Sequence, residues 1–168
     1  MKSKFILLLL FTITFSIYAQ EYENGTIVTQ HYDTISNVKI EKLSDSKSLL
    51  HLNYIDKNGE VQSPAIESIK CYQRGTDTFC RIYNSGEMVL AKKVVDGEKL
   101  NLYERYLNGG TTFYIEKVYD ELIKVPSSSK KFKKVIGLFL KDAPKISEKI
   151  NSKELEDILE IVNLYNKG

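Results

Sequence analysis

The sequence predicts an α+β fold in which an antiparallel β-sheet comes first and amphipathic helices follow it. From residue 25 to residue 126, short β-type runs alternate with turn signals about every 8–12 residues, which is typical of antiparallel strands. Over residues 127–168 the apolar spacing changes from two to three and four, which indicates helices. We therefore expect about seven to nine short strands in a meander, barrel or sandwich, with two C-terminal helices docked on the sheet.

Turn residues divide the first part of the chain into strands. Asp33-Thr34 separates the first two predicted strands, and Asn58-Gly59 ends the third, because an Asn-Gly step tolerates positive φ at low cost. Pro64 cannot donate to a β-ladder, so the short fourth strand is expected at an edge or an end. The predicted strands in this part are residues 25–32, 35–43, 50–55 and 61–63.

The two cysteines, Cys71 and Cys80, lie in a predicted hairpin formed by residues 69–74 and 78–83. If Gly75 starts a two-residue turn, Cys71 lies opposite Cys80 in a non-hydrogen-bonded pair, where side chains come close enough for a cross-strand bridge. We therefore predict a structural Cys71–Cys80 disulfide. The alternative is two reduced, buried cysteines. Metal binding or redox catalysis is less favoured, because no Cys-x-x-Cys spacing or clustered histidine accompanies them.

The last three predicted strands show the alternation of a sheet with one wet face. On this pattern Tyr103 and Tyr114 point away from the aliphatic face. With Tyr106 and Tyr119 they would form an exposed binding surface, since tyrosine is enriched in recognition surfaces. The alternative is that the helices cover this face and that the tyrosines are ordinary core or rim residues. The three strands comprise residues 88–95, 100–106 and 111–119.

Two amphipathic helices are predicted after residue 126. Residues 127–129 offer serine N-cap oxygens to the first helix, and the segment 142–144 ends it at a proline. The second helix begins near Asn151, which resembles a capping box with Glu154. Helices this short are marginal alone, so we expect them to pack on the sheet rather than to form a detached hairpin. The apolar stripes are Phe132, Val135, Ile136, Phe139 and Leu140, then Leu155, Ile158, Leu159, Val162 and Tyr165.

The chain begins with a pattern typical of a secretory signal peptide. Lys2 and Lys4 precede a short apolar block, and Ala19 supplies a small residue at the predicted cleavage position. The block is too short to span a membrane comfortably. We therefore predict a signal peptide over residues 1–19, a single domain over residues 20–168, a periplasmic or extracellular location, and no transmembrane helix in the mature chain.

Charge and motif content exclude several classes of function. Removal of the predicted signal peptide would leave 22 basic and 22 acidic residues, so the mature chain has no overall field to attract nucleic acid. The histidines, His31 and His51, are predicted in separate strands and lack metal-site spacing. The sequence contains no Gly-x-Ser-x-Gly elbow and no phosphate-binding glycine loop. It therefore predicts no catalytic residue, no metal and no cofactor.

Two parts of the chain resemble a family of uncharacterised small exported bacterial proteins. The opening, Gly25–Ile40, contains Asp33-Thr34-Ile35 within a predicted hairpin, similar to the Gly-Asp-Thr-Ile of that family. Two tail motifs are similar to the family's Asp-Cys-Pro and Tyr-Asn. These tail motifs are Asp142-Ala143-Pro144 and Tyr165-Asn166.

The chain departs from the family pattern at three positions. Tyr32 and Asn37 stand where glycine is usual, and Ala143 stands where cysteine is common. A disulfide through that family cysteine is therefore absent here. The resemblance implies export and the fold described above, and it supplies no catalytic residues.

These observations favour a non-enzymatic envelope protein of Gram-negative type that binds another protein or a surface polymer. It would use the tyrosine face or a groove between sheet and helices. One alternative is a small exported hydrolase that acts on glycan or peptide, with carboxylates such as Glu104 and Glu116 in a cleft. The other is a periplasmic immunity or inhibitor protein, which rests on analogy of fold alone.

Overall fold

The computed structural model describes residues 20–118 and 120–168 of the chain. The predicted signal peptide, residues 1–19, and the predicted surface residue Tyr119 lie outside the described residues. Within the described part, an antiparallel sheet of ten strands is followed by three helices. This confirms the predicted α+β class and the order of its parts. The sheet has one strand more than the expected maximum of nine, and the last of the ten strands is only three residues long.

The strands are β1 (Tyr22–Thr29), β2 (Thr34–Glu41), β3 (Tyr54–Ile55), β4 (Val61–Gln62), β5 (Ile69–Arg74), β6 (Asp77–Asn84), β7 (Glu87–Val95), β8 (Leu100–Leu107), β9 (Gly110–Lys117) and β10 (Leu122–Lys124). A short helix, α1 (Asp45–Ser48), and a 3₁₀ turn (Ile66–Ser68) lie between strands. The C-terminal helices are α2 (Ser129–Phe139), α3 (Pro144–Ser152) and α4 (Ile158–Lys167).

Neighbouring strands in the sheet are mostly neighbours in sequence. Strands β5 to β10 form one antiparallel meander and β1 to β4 form another, and the two join where β1 pairs with β5. In the described sheet the edge strands β4 and β10 do not pair with each other, so the sheet is open and the barrel alternative is wrong. The strand before Pro64, β4, lies at an edge as predicted.

The cysteine hairpin has the predicted register. Cys71 lies opposite Cys80, and Tyr72 lies opposite Phe79. Gly75 begins the turn with a φ of 56°, a conformation that glycine adopts without strain. The Cα atoms of the two cysteines are 4.2 Å apart and their sulfurs are bonded. The predicted disulfide is confirmed, and the alternative of two reduced cysteines is wrong.

The first hairpin turns earlier than predicted, over residues 30–33. Tyr32 has a φ of 66° in this turn, and Asn37 has a φ of 59° beside a register shift between β1 and β2. These are the two positions at which the resemblance leads us to expect glycine. A glycine would adopt positive φ without strain, whereas a tyrosine adopts it at a cost.

The predicted strand 50–55 is wrong over most of its length, because only β3 forms there. The segment before β3 is held over the sheet by the guanidinium of Arg74, which is 3% exposed. Its Nη1 donates hydrogen bonds to the carbonyls of residues 41 and 43 and to Ser48 Oγ, at 3.3, 3.1 and 3.0 Å. Leu49 and Leu52 belong to this segment and are buried in the core, so their apolar character reflects a cover over the core rather than a strand.

Strands β8 and β9 bury side chains on both faces. On the helix-covered face, Leu100, Leu102 and Ile115 share a buried cluster with residues of α2, α3 and α4. On the opposite face, Tyr103 and Tyr114 are buried together, and β10 contacts β6, so the sheet curves around them. The predicted pattern of one buried and one wet face is therefore wrong for these strands. The other buried members of this second cluster are Cys80, Ile82, Val89 and Ala91.

The helical part begins as predicted and then differs. Helix α2 contains the predicted apolar stripe as far as Phe139, with Leu140 as the C-cap residue, and the Ser128 side chain at its N-cap makes no capping hydrogen bond. An additional helix, α3, forms before the predicted second helix and ends at Lys153, which takes a left-handed conformation with a φ of 68°. The predicted second helix is α4, which begins at Ile158 rather than near Asn151. Asp157 caps α4 by accepting a hydrogen bond from the backbone of Glu160 at 2.9 Å. The predicted capping role of Asn151 is wrong, since Asn151 lies inside α3.

Reduction of the disulfide is expected to lower the free energy of unfolding by about 2–3 kcal/mol, because the bridge closes a short loop in the unfolded chain. Urea unfolding with and without dithiothreitol measures this difference. A Cys71→Ala/Cys80→Ala variant is the control, and its unfolding should not respond to the reductant. Two free thiols in the denatured, unreduced protein would contradict the disulfide.

Ile136→Ala is expected to lower the free energy of unfolding by about 3 kcal/mol, because the side chain is fully buried among strand and helix residues. Leu138→Ala in the same helix is the matched control. Its side chain is 66% exposed, so its substitution should change stability by less than about 0.5 kcal/mol. Equal losses in urea unfolding would show that α2 does not contribute to the core through this face.

Candidate functional site

A groove opens where the start of α3 and the end of α4 meet the connection between β7 and β8. Its volume is about 700 Å³, and its lining is mainly apolar. We call it the sheet–helix groove. The apolar residues that line it are Ala143, Pro144, Ile146, Leu164 and Tyr165, the charged residues that line it are Lys99, Asp142, Lys145 and Lys149, and Gly168 completes the lining.

A hydrogen-bonded network fixes one wall of the groove. The carboxylate of Asp142 accepts a hydrogen bond from the Tyr165 hydroxyl at 2.6 Å and from Lys117 Nζ at 2.9 Å. Lys117 reaches across from β9, and its ammonium lies 5.1 Å from the centre of the Phe139 ring. Sheet, α2 and α4 are therefore tied together at the carboxylate that follows α2.

The network sets the protonation states of its members. Partial burial acts to raise the pKa of Asp142, but the hydrogen bonds from Tyr165 and Lys117 outweigh it and lower that pKa. Burial, together with the neighbouring carboxylate, raises the pKa of Tyr165 to about 12. At neutral pH the carboxylate is therefore charged and the phenol is protonated, so the hydrogen bond between them persists.

Asn166 fixes the end of α4 on the start of β8. Its side-chain oxygen accepts hydrogen bonds from the backbone of Lys99 and Leu100 at 3.1 and 2.9 Å, and its amide donates to the Leu100 carbonyl at 2.8 Å. Gly97 allows this approach, because a Cβ at that position would collide with the Asn166 side chain and with the carbonyl of Leu100. The segments 142–144 and 165–166 thus meet at the groove, where the Tyr165 hydroxyl donates to Asp142.

Three lysines give the groove a positive rim. Lys145 and Lys149 are one helical turn apart on α3, and Lys99 lies in the connection before β8. Among the described residues, none of these three ammonium groups is in an ion pair. The charge of Asp142 is offset by Lys117. The groove therefore combines apolar surface with an excess of positive charge.

The predicted tyrosine surface does not form. Tyr103 and Tyr114 are each 4% exposed, because the face that carries them is apolar and the sheet curves over it. Tyr106 is 44% exposed, but it shares a face with Leu102 rather than with Tyr103. Tyr119 lies outside the described residues. The alternative that the tyrosines belong to the core is correct for Tyr103 and Tyr114, although the sheet rather than the helices covers them.

The two carboxylates proposed for a hydrolase lie on opposite faces of the sheet. Glu104 is paired with Phe113 and Glu116 is paired with Asn101, so their side chains alternate to different sides. Glu116 accepts hydrogen bonds from the Tyr103 hydroxyl at 2.7 Å and from the Asn101 amide at 3.2 Å. These two carboxylates therefore cannot act in one cleft, and that pairing is wrong.

The histidines do not come together either. His31 lies in the first turn and His51 lies between α1 and β3, and both are exposed, so their predicted placement in strands is wrong. Residues 20–118 and 120–168 contain no group of three or more His, Cys, Asp or Glu side chains that could hold a metal ion. None of the helices in this part of the chain is both long and apolar enough to cross a membrane.

The sequence indicates only part of the groove, since it predicts the segment 142–144 as a helix stop and Tyr165 as part of an apolar stripe. It gives no signal for the lining lysines, Lys99, Lys145 and Lys149. The resemblance is the sequence signal that could have linked the segment 142–144 with Tyr165, since both are part of the tail motifs on which it rests. Comparison with protein-family models, with curated proteins and with solved structures finds no match to this chain.

Asp142→Asn is expected to lower the pKa of Tyr165 from about 12 toward the ordinary value of about 10, because the acceptor loses its charge. The contribution of the hydrogen bond to stability is present below pH 10, and in the parent protein it is lost as pH rises toward 12. The ¹³Cζ signal of Tyr165, assigned with Tyr165→Phe, measures the titration. Glu148→Gln, at an exposed carboxylate of α3, is the control and should leave that pKa unchanged. An unaltered titration in Asp142→Asn would contradict the coupling.

Proposed function

We propose that this chain is an exported envelope protein that binds another protein or a surface polymer in the sheet–helix groove and has no enzymatic role. The observation that carries the proposal is the groove itself, an open concave surface with an apolar lining and a positive rim. Sites that recognise other molecules combine apolar surface with a few placed polar groups in this way.

Two features support export. The N-terminal sequence has the pattern of a signal peptide, and a disulfide bridges Cys71 and Cys80. Disulfides persist in oxidising compartments such as the periplasm and the cell exterior. The resemblance to small exported bacterial proteins also supports export, and we propose that this chain belongs to that family.

Binding without catalysis is supported by the chemistry of the groove. Its one lining carboxylate side chain, among the described residues, is Asp142, whose oxygens accept hydrogen bonds from Lys117 and Tyr165. A general acid or base needs a proton-transfer atom within reach of its substrate and a pKa near the operating pH. Asp142 has its pKa lowered and its oxygens engaged, which suits a structural anchor better.

A crosslinking pull-down from envelope extract of the native host tests the proposal. The unaltered protein is expected to capture a specific partner, and Leu164→Arg is expected to lose it, because Leu164 lines the groove. Leu138→Arg is the matched control, since Leu138 is an exposed leucine on α2 outside the groove. Capture that survives Leu164→Arg, or no specific capture at all, would contradict binding of a protein at this site.

A further inference from the structure

We infer that the groove receives an acidic peptide segment of a partner protein, one that carries an apolar side chain between carboxylates. The inference rests on the proposed function, because it names the chemistry of the partner bound at the same site. It follows from three features of the groove, which are its apolar lining, the placement of its lysines and the internal pairing of its carboxylate.

The apolar lining supplies the anchor point. Ile146 is half-buried, and Leu164 is 36% exposed at the end of α4, so both present hydrocarbon to solvent inside a concavity. Burial of an apolar side chain there removes surface from water on both partners, at roughly 25 cal/mol for each Å². This contact provides affinity, but it does not select among apolar partners.

The lysines supply the selection. Lys99 lies in the connection between β7 and β8, and Lys145 and Lys149 lie on α3. Ammonium groups on separate elements match several carboxylates spaced along a chain better than they match a single compact headgroup. Complementary charge at the rim of an interface raises the association rate and rejects partners of the wrong sign.

The carboxylate inside the groove does not cancel this charge. Asp142 is paired with Lys117 at 2.9 Å, and Lys117 does not line the groove. A second hydrogen bond from Tyr165 engages its other oxygen. The three rim lysines are therefore left to act on an incoming ligand.

The probe for this inference is a phage-displayed library of random dodecapeptides, selected against the full mature protein. Enriched peptides are expected to carry two or more Asp or Glu residues beside a Leu, Ile or Phe. Synthetic copies should bind at least about tenfold more weakly to Lys99→Glu/Lys149→Glu, and binding should weaken as salt is raised from 50 to 300 mM. Lys57→Glu/Lys131→Glu changes two exposed lysines outside the groove and should bind as the unaltered protein does.

Three outcomes of the peptide experiment overturn the inference. They are a selection that enriches no peptide, enriched peptides without acidic residues, and binding that the Lys99→Glu/Lys149→Glu variant leaves unchanged. The envelope pull-down separates this failure from failure of the proposed function. A partner lost by Leu164→Arg but retained by the lysine variant would leave the binding function in place and remove only the acidic segment. Binding of vesicles with acidic lipid, in place of any peptide, would also overturn the inference.

Discussion

Strands β8 and β9 carry apolar side chains on both faces, and this constraint organises the rest of the molecule. Each large apolar side chain contributes roughly 1.5–3 kcal/mol when it is removed from water, so both faces need a cover. The C-terminal helices cover Leu100, Leu102 and Ile115 on one face. On the other face the sheet curves around Tyr103 and Tyr114, in the cluster that contains Cys80 of the disulfide. The groove lies at the border of the first cover, where α4 ends on the start of β8.

The groove owes its shape to bonds that the protein makes with itself. Asn166 pins the end of α4 to β8, and Asp142 joins Lys117 of the sheet to Tyr165 of α4. These contacts hold two walls in place before any ligand arrives, and a preformed site avoids part of the ordering cost of association. The polar side chains of Asn166, Asp142 and Tyr165 thus bond to other groups of the protein, while the apolar lining and the rim lysines remain available to a partner.

The sequence was most informative where structure is local. The register of the cysteine hairpin and the extent of α2 follow from a turn residue and from helical spacing, and both agree with the structure. Burial on both faces was not predictable, because Tyr103 and Asn101 have the polar groups of a wet face and yet are buried. The break between α3 and α4 depends on Lys153 in a left-handed conformation, for which lysine gives no signal. The groove needs residues 99, 142 and 165 together, and only folding brings them to one site.

The pairing of β1 with β5 has a consequence for the order in which the chain becomes structured. Every pair from β5 to β10 joins consecutive strands, so that meander forms from contacts close in sequence. Strand β1 differs, because its residue Gly25 pairs with Arg74 of β5, which lies much later in the chain. When the chain emerges N-terminus first, the β1–β2 hairpin exposes an unpaired edge until β5 appears. An open edge of this kind invites pairing with another chain, so the interval before β5 arrives is the period in which this protein is most exposed to aggregation.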